Sequence, residues 1–579
     1  MRRLARYLTF FKKEVIIGPI FKLTEAIFEL IVPLVMAKII DVGIQNQNKT
    51  YIYQMGGVMI LLGVVGLGCA LVCQYFASKA SQGVGTMIRN DLFRHINTLS
   101  HAEIDKLGTS SLVNRITNDV NQIQVAVAML IRLVIRAPFL VIGATIMAMS
   151  INLKLSLIFW LAGILVAIVL YLVMKKSIPF YRVIQKKLDR IGLITRENLE
   201  GARVIRAFSK QHAEERRFEQ ASEDHAKTAI GVGKISALLN PMTFTIMNLA
   251  IVLIIWFGGT QVDAGFLLRG EVIALVNYMT QISLALVVVA NLVVIFTKAS
   301  ASATRINEVF DTSASIIQKQ DKNLTIDSSQ AVPKVAFQDV SFSYGDSNEY
   351  ALEHISFEVY PGETVGIIGA TGSGKSTLIN LIPRFYEATQ GSVLIDGIDV
   401  KEYPFKQLRT QIGVVPQKAV LFHGSILDNL RWADQHATQQ QIEKAVEIAQ
   451  GKDFVEKLPN QYLTEIFQGA KNVSGGQKQR LTIARALVSQ PKILILDDSS
   501  SALDFATDAA LRKAIKQDSE DRTVFIVSQR ATSIKYADKI IVLDDGCMVG
   551  IGTHDELFEN CEVYHEICMS QLNSEEASR

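Results

Sequence analysis

Cysteine is scarce and unpatterned in this chain of 579 residues. The five, Cys69, Cys73, Cys547, Cys561 and Cys568, have neither a metal-binding spacing nor a disulfide framework. Cys69 and Cys73 sit four apart in an apolar run, as small residues at a helix contact do. Net charge is nearly absent: +3 over the whole length gives no footing for nucleic acid. No cleavable leader is expected either. Met1–Lys13 is basic and aromatic, but the apolar run behind it is too long and has no small-residue cleavage site. Internal repeats and low-complexity tracts are not found. What is abundant is hydrophobicity, 49% of residues, with a mean hydropathy of +0.25, high for a soluble enzyme. The length exceeds what one core supports, so at least two domains are expected.

Six apolar segments fill the first half: about Val15–Gly43, Tyr51–Phe76, Val125–Ile151, Leu155–Met174, Ile235–Thr260 and Val272–Thr297. Each approaches the ~20 residues that cross a bilayer core. Lys175–Lys234 holds 14 Lys or Arg, and Lys79, Arg89, Arg94, Lys106 and Arg115 lie between the second and third segments. The other connections are short, with Lys49, Lys154 and Arg269. The basic loops, and with them both termini, should face the cytosol. Both long loops are patterned as helices, as in Ser111–Val120 and Leu199–Arg217, so membrane helices should extend into the cytosol and dock on the second half with their tips.

The first segment carries Lys22, Glu25, Glu29 and Lys38, and a centred charge costs ~2.5–3.5 kcal/mol on insertion scales. Two readings stand. Glu25 and Glu29, four apart on one helix face, form a substrate wall that attracts cations; or the charges pair, Lys22 with Glu25 on one face or with a neighbouring helix, or line a polar face toward a water-filled cavity, which is favoured. Arg132 and Arg136 are expected as interfacial anchors.

The organising stretch is Gly369-Ala370-Thr371-Gly372-Ser373-Gly374-Lys375-Ser376-Thr377, a G-x-x-x-x-G-K-[ST] phosphate loop between a strand (Glu363–Ile368) and a helix (Ser376–Ile382). Its glycines let successive N–H groups converge on an anion, and the helix N-terminus adds partial positive charge. Lys375 would reach the outer phosphates, and the Ser376 hydroxyl would ligate magnesium. Upstream, Asp311–Pro333 turns polar, as at a domain boundary. The expected division is a transmembrane domain over 1–310, a linker over 311–334 and a nucleotide-binding domain over 335–579, with a frayed tail from Asn573.

Past Val335 strands and helices alternate, which implies an α/β core. Five motifs follow in order besides the loop: Phe342-Ser343-Tyr344, Val414-Val415-Pro416-Gln417, Val473-Ser474-Gly475-Gly476-Gln477, Lys492–Asp498 and Ser501-Ala502-Leu503-Asp504. The set resembles the half-transporter exporters among the ATP-binding cassette (ABC) transporters, over nearly the whole chain. That resemblance implies an α-helical six-helix transmembrane domain with long cytosolic extensions, then an α/β P-loop cassette with a helical subdomain. It implies ATP and magnesium as cofactors, with Tyr344 on the adenine, residues 369–377 on the phosphates, and Ser376, Gln417 and Asp497 around the metal. Ser474, Gly475, Gly476 and Gln477 would cap the ATP of a facing cassette.

Two positions depart from the family. Asp498 stands where glutamate usually polarises the attacking water, and Gln529 where histidine usually meets the γ-phosphate. Catalysis at this chain's own site should therefore be weak, while its signature is nearly intact. The pattern resembles the degenerate-site subunit of bacterial heterodimeric multidrug exporters: an ATP-driven translocase in the plasma membrane, paired with a different half-transporter, exporting amphiphilic drugs or dyes. The alternatives are an ATP-gated channel or nucleotide-sensing subunit, or a homodimeric lipid or peptide exporter. A peptide exporter often carries an N-terminal peptidase domain, and none is expected here, since Met1–Glu14 would leave no space for one.

Overall fold

The computed structural model describes residues 3–318, 332–345, 349–518 and 521–577. The chain divides into two compact units: Met1–Asn97 with Thr109–Thr312, and Thr98–Gly108 with Ser313–Arg579. Most of the polar stretch expected as a linker lies outside the described residues.

The first unit is entirely helical. Its long helices are α1 (Lys12–Lys38) and α2 (Lys49–Ile96). After α3 (His101–Leu107), which belongs to the second unit, come α4 (Thr109–Ile151) and α5 (Leu153–Glu200). The short α6 (Ala202–Ala207), α7 (Gln211–Asp263) and α8 (Arg269–Asp311) complete it. Five of the six expected apolar segments lie within single long helices; the first, Val15–Gly43, begins on α1 and runs past it into the π-helical Ile39–Ile44. Among the described residues five helices are long and apolar enough to cross a membrane; α1 falls short because Lys22, Glu25 and Glu29 interrupt its apolar run. The unit is built inside out relative to a soluble core. Leu61, Val64, Leu157, Trp160 and Ile164 face outward, whereas Ala26, Ala144, Ala148 and Ala274 are fully buried. Small residues let helix backbones approach where no water drives them together. Cys69 and Cys73 are buried here as packing residues.

The charges of α1 are paired. Lys22 bonds Glu25 at 2.6 Å, and Glu29 accepts from Arg136 at 2.6 Å. Arg136, expected as an interfacial anchor, is half-buried and takes Glu29 as its ion partner, which offsets the burial. Arg132 sits one turn earlier, half-buried on a π-helical stretch.

The second unit holds two main sheets. The first has the order β2-β1-β4-β5 and is antiparallel: β1 (Val335–Phe342), β2 (Leu352–Val359), β4 (Gln390–Ile395) and β5 (Ile398–Asp399). The second has the order β12-β11-β3-β10-β9-β6, with β3 (Thr364–Gly369), β6 (Ile412–Val415), β9 (Ile493–Asp497), β10 (Thr523–Val527), β11 (Lys539–Asp544) and β12 (Cys547–Gly552). Strands β11, β3, β10, β9 and β6 run parallel; β12 is antiparallel at the edge. The strands β3, β9 and β10 read as continuous apolar runs because both faces are covered. Helices between β6 and β9 form a subdomain whose buried residues include Ile426, Leu430, Ile442, Val446 and Leu481. The terminal helix runs from Glu562 to Ala577, past Asn573 where fraying was expected.

Candidate functional site

In a parallel sheet every strand delivers its carboxyl end to the same edge, which is where such sheets bind ligands. Here β3, β10, β9 and β6 are neighbours in register, with Val527 opposite both Ile367 and Asp497 and Val415 opposite Leu496. One edge therefore gathers the phosphate loop after β3, Gln529 after β10, Asp497 and Asp498 at the end of β9, and Gln417 after β6. They line a cleft of about 270 Å³ together with Tyr344, Ala351 and Val527. A larger hollow of about 560 Å³ beside Arg512 and Lys513 takes only Leu496 from the motifs, with no polar motif side chain; chemistry rather than volume identifies the site.

The loop turns where only glycine fits. Gly374 has φ +93°, and a Cβ there would lie 2.7 Å from the Ala351 carbonyl oxygen. Helix α9 (Lys375–Leu381) begins directly behind it. Lys375 is buried and folded back, its Nζ donating to the Gly369 and Ala370 carbonyls at 2.9 and 2.6 Å. Burial pulls its ammonium below the usual lysine range, opposed by Asp498 and Asp497. A lysine held by its own loop's carbonyls is a cation poised to exchange weak acceptors for phosphate oxygens.

The Ser376 hydroxyl donates to Asp497 Oδ1 at 3.1 Å. Burial pushes Asp497 up from the ordinary carboxylate range; Ser376 opposes this, the neighbouring Asp498 charge adds to it, and Lys375 opposes it. Burial likewise raises Asp498, opposed by its hydrogen bond with Gln417 and by the charges of Arg530 and Lys375. Asp498 lies just outside β9 with φ +43°, a left-handed conformation that Asp tolerates better than most residues. Two desolvated carboxylates, a hydroxyl and an amide make a hard oxygen donor set of the kind magnesium takes, with phosphates and water supplying the rest. Among the described residues no cluster of three His, Cys, Asp or Glu could hold a metal by itself.

Tyr344 lies in the turn after β1, its hydroxyl sharing a hydrogen bond with Thr377 Oγ1 at 3.0 Å. Gln529 is exposed at the cleft's rim. Ser474, Gly475, Gly476 and Gln477 do not line the cleft. Ser474 caps helix α10 (Gly475–Val488) by accepting from the Gln477 N–H, and Gln477 reaches back in a capping box. Ser474 and Gly475 are exposed, and a Cβ on Gly475 would meet nothing within 4 Å. Glu25 and Glu29 are spent in the ion pairs described above. Two residues went unnoticed in the sequence. Arg530 acts on Asp498 and could have been found as the cation beside Gln529. Tyr386 packs on Tyr344 and had no motif to betray it.

Comparison with known proteins agrees with this architecture. The ABC transporter transmembrane region matches residues 15–286, and the ABC transporter cassette matches residues 352–501. The chain is similar to YfiB, an uncharacterized ABC transporter ATP-binding protein of Bacillus subtilis: 38% identical over 561 residues, 96% of each chain. It is 37% identical over 555 residues to Rv1273c, likewise an uncharacterized ABC transporter ATP-binding protein, of Mycobacterium tuberculosis, covering 95% of this chain and 94% of that one. An ATP-dependent lipid A-core flippase of Hahella chejuensis is 32% identical over 522 residues, covering 90% and 88%. Among solved structures, a bacterial Atm1-family ABC exporter with ATP bound has the same fold, with a TM-score of 0.79 over 98% of both chains at 23% identity.

Proposed function

The chain belongs to the ABC transporters, as an ATP-driven exporter half that joins one membrane domain to one cassette, and on that premise we propose that it is the weak-site subunit of a two-chain exporter. The observation that carries this reading is the contrast at residues 498 and 529. Asp498 is one methylene shorter than glutamate, and a misplacement near 1 Å can cost roughly a hundredfold in rate. Gln529 offers a hydrogen bond but no positive charge to a developing phosphate anion. Meanwhile the exposed start of α10 offers free N–H groups and a helix N-terminus to an anion brought by another chain.

In this reading Tyr344 stacks on adenine, residues 369–377 hold the phosphates, and Ser376, Gln417 and Asp497 surround magnesium. Ser474, Gly475, Gly476 and Gln477 close over the partner's ATP, where most hydrolysis takes place. Two bound ATPs favour the closed cassettes only by their differential affinity for that state. The chain is a multi-pass protein of a bacterial plasma membrane, with its cassette in the cytosol. Its cargo is amphiphilic, drugs or dyes. A lipid cargo is the second reading, favoured by the relative that carries a lipid flippase's name. It also fits α1, whose Glu25 and Glu29 each already hold a cation.

Inside-out vesicles test the reading. ATP should drive uphill accumulation of a fluorescent amphiphile or a labelled lipid, whichever is the cargo, and only when both chains are present. An ATP-triggered downhill flux would mean a channel instead.

A further inference from the structure

The hollow beside Arg512 and Lys513 lies between strands β9 and β10, helix α11 (Phe505–Asp518) and the short helix Ala531–Ile534. Its floor is apolar: Leu496 of β9, Val524 and Ile526 of β10, and Ile515 of α11 beside them. Helices normally cover such strands completely. Here Gly362 and Ala509 bring no bulk to the lining, and about 560 Å³ stays open. That is the size and the wall chemistry of a small-molecule site.

The lining carries charge of one sign. Arg512, Lys513, Lys516 and Arg522 contribute to it, and no Asp or Glu does. The two arginines are tied down. Arg522, its side chain 5% exposed, gives Nη2 to Asp518 at 2.8 Å and Nε to the Pro491 carbonyl at 3.2 Å. Arg512 gives Nη2 to Asp508 at 3.2 Å and Nη1 to the Ser533 carbonyl at 3.1 Å. Each keeps one buried nitrogen without a partner, Nη1 of Arg522 and Nε of Arg512. The two lysines are exposed and largely unspent. Among the described residues Lys513 has no ion pair, and Lys516 reaches only Asp538, at 4.0 Å. Arg512 and Lys516 are four apart on α11, a spacing at which like charges destabilise a helix unless an anion sits among them. Tyr536 adds an aromatic ring to the lining, 79% exposed.

We propose that this hollow is a second ligand site, outside the ATP cleft, for an organic anion with an apolar or aromatic body. The body covers Leu496, Val524 and Ile526 beside Tyr536, and its carboxylate or sulfonate meets Lys513 and Lys516. An inorganic anion would leave the floor uncovered, and a neutral apolar molecule would leave the lysines unmet. The site stands apart from the nucleotide reading, since no residue lines both it and the cleft.

Hydrogen exchange over residues 509–518 of the full-length protein in lipid nanodiscs tests this, with naphthalene-2-sulfonate as the probe. At saturation the probe should slow that exchange about two- to tenfold, with ATP present or absent. Naphthalene-2-sulfonamide has the body without the charge, and methanesulfonate the charge without the body. Each should need ~tenfold more or fail to protect. Lys513→Glu with Lys516→Glu should weaken the probe ~tenfold or more, while ATP affinity on the same samples stays within about twofold. Ala509→Trp, which fills the hollow and touches no charge, should do the same, and it decides the matter if the double variant folds poorly. No protection by the probe, equal protection by either half-probe, displacement by ATP, or undiminished binding to a folded variant would overturn the proposal.

Discussion

The proposed function aims two regions of the cassette at ATP, and they are built in opposite ways. The cleft is closed on itself: Lys375 bonds its own loop, Ser376 bonds Asp497, and the carboxylates are desolvated. The start of α10 is open, with Ser474 and Gly475 exposed and each of their duties local. A site that must grip and orient one ligand spends its polar groups in advance on one another. A surface that must meet a ligand from outside keeps room for it. On the proposed function, this difference is what would let one chain be poor at cleavage in its own cleft and still lend a cap.

The largest expected effect falls on the open region. Gly475→Asp should fold normally, because the site has room for a side chain, yet lower the two-chain complex's ATP turnover by ~100-fold or more by setting a carboxylate against the γ-phosphate. Retained turnover would place the cap elsewhere. Next comes the closed region. Asp498→Glu with Gln529→His should raise turnover at this chain's own site by ~10–100-fold, measured in a complex whose other site has been disabled. No gain would mean these two residues are not what limits it.

A smaller effect is expected from pH. Because burial raises Asp497 and Asp498, both take up protons above the ordinary carboxylate range, so magnesium–ATP binding should weaken as pH falls through those raised values. Without nucleotide the sign reverses: a raised carboxylate pKa contributes stability as pH falls through it and loses that contribution above it. Titrating both against Asp497→Asn separates the two signs. The smallest effect is structural. Ser474→Ala should cost ~1 kcal/mol of cassette stability through the lost N-cap, read by chemical unfolding, over and above any loss of turnover.

Much of this was legible in the sequence because the motifs sit at strand ends, and strand ends in a parallel sheet converge. The apolar run Thr523–Val527 delivers Gln529 to the cleft whatever else the chain does. The Lys22–Glu25 pair was legible too, three residues apart on one helix face. Glu29–Arg136 and Asp105–Tyr386 were not, since 107 and 281 residues separate the partners and local periodicity carries no register between distant elements. The left-handed turn at Asp498 was hidden for another reason: Asp allows such a backbone without announcing it.

The most direct measurement is ATP turnover by the purified full-length chain, alone and then with its partner half. The account expects slow turnover alone and at least tenfold faster turnover per complex once the partner supplies a competent site under this chain's cap. Brisk hydrolysis by the chain paired only with itself would contradict it.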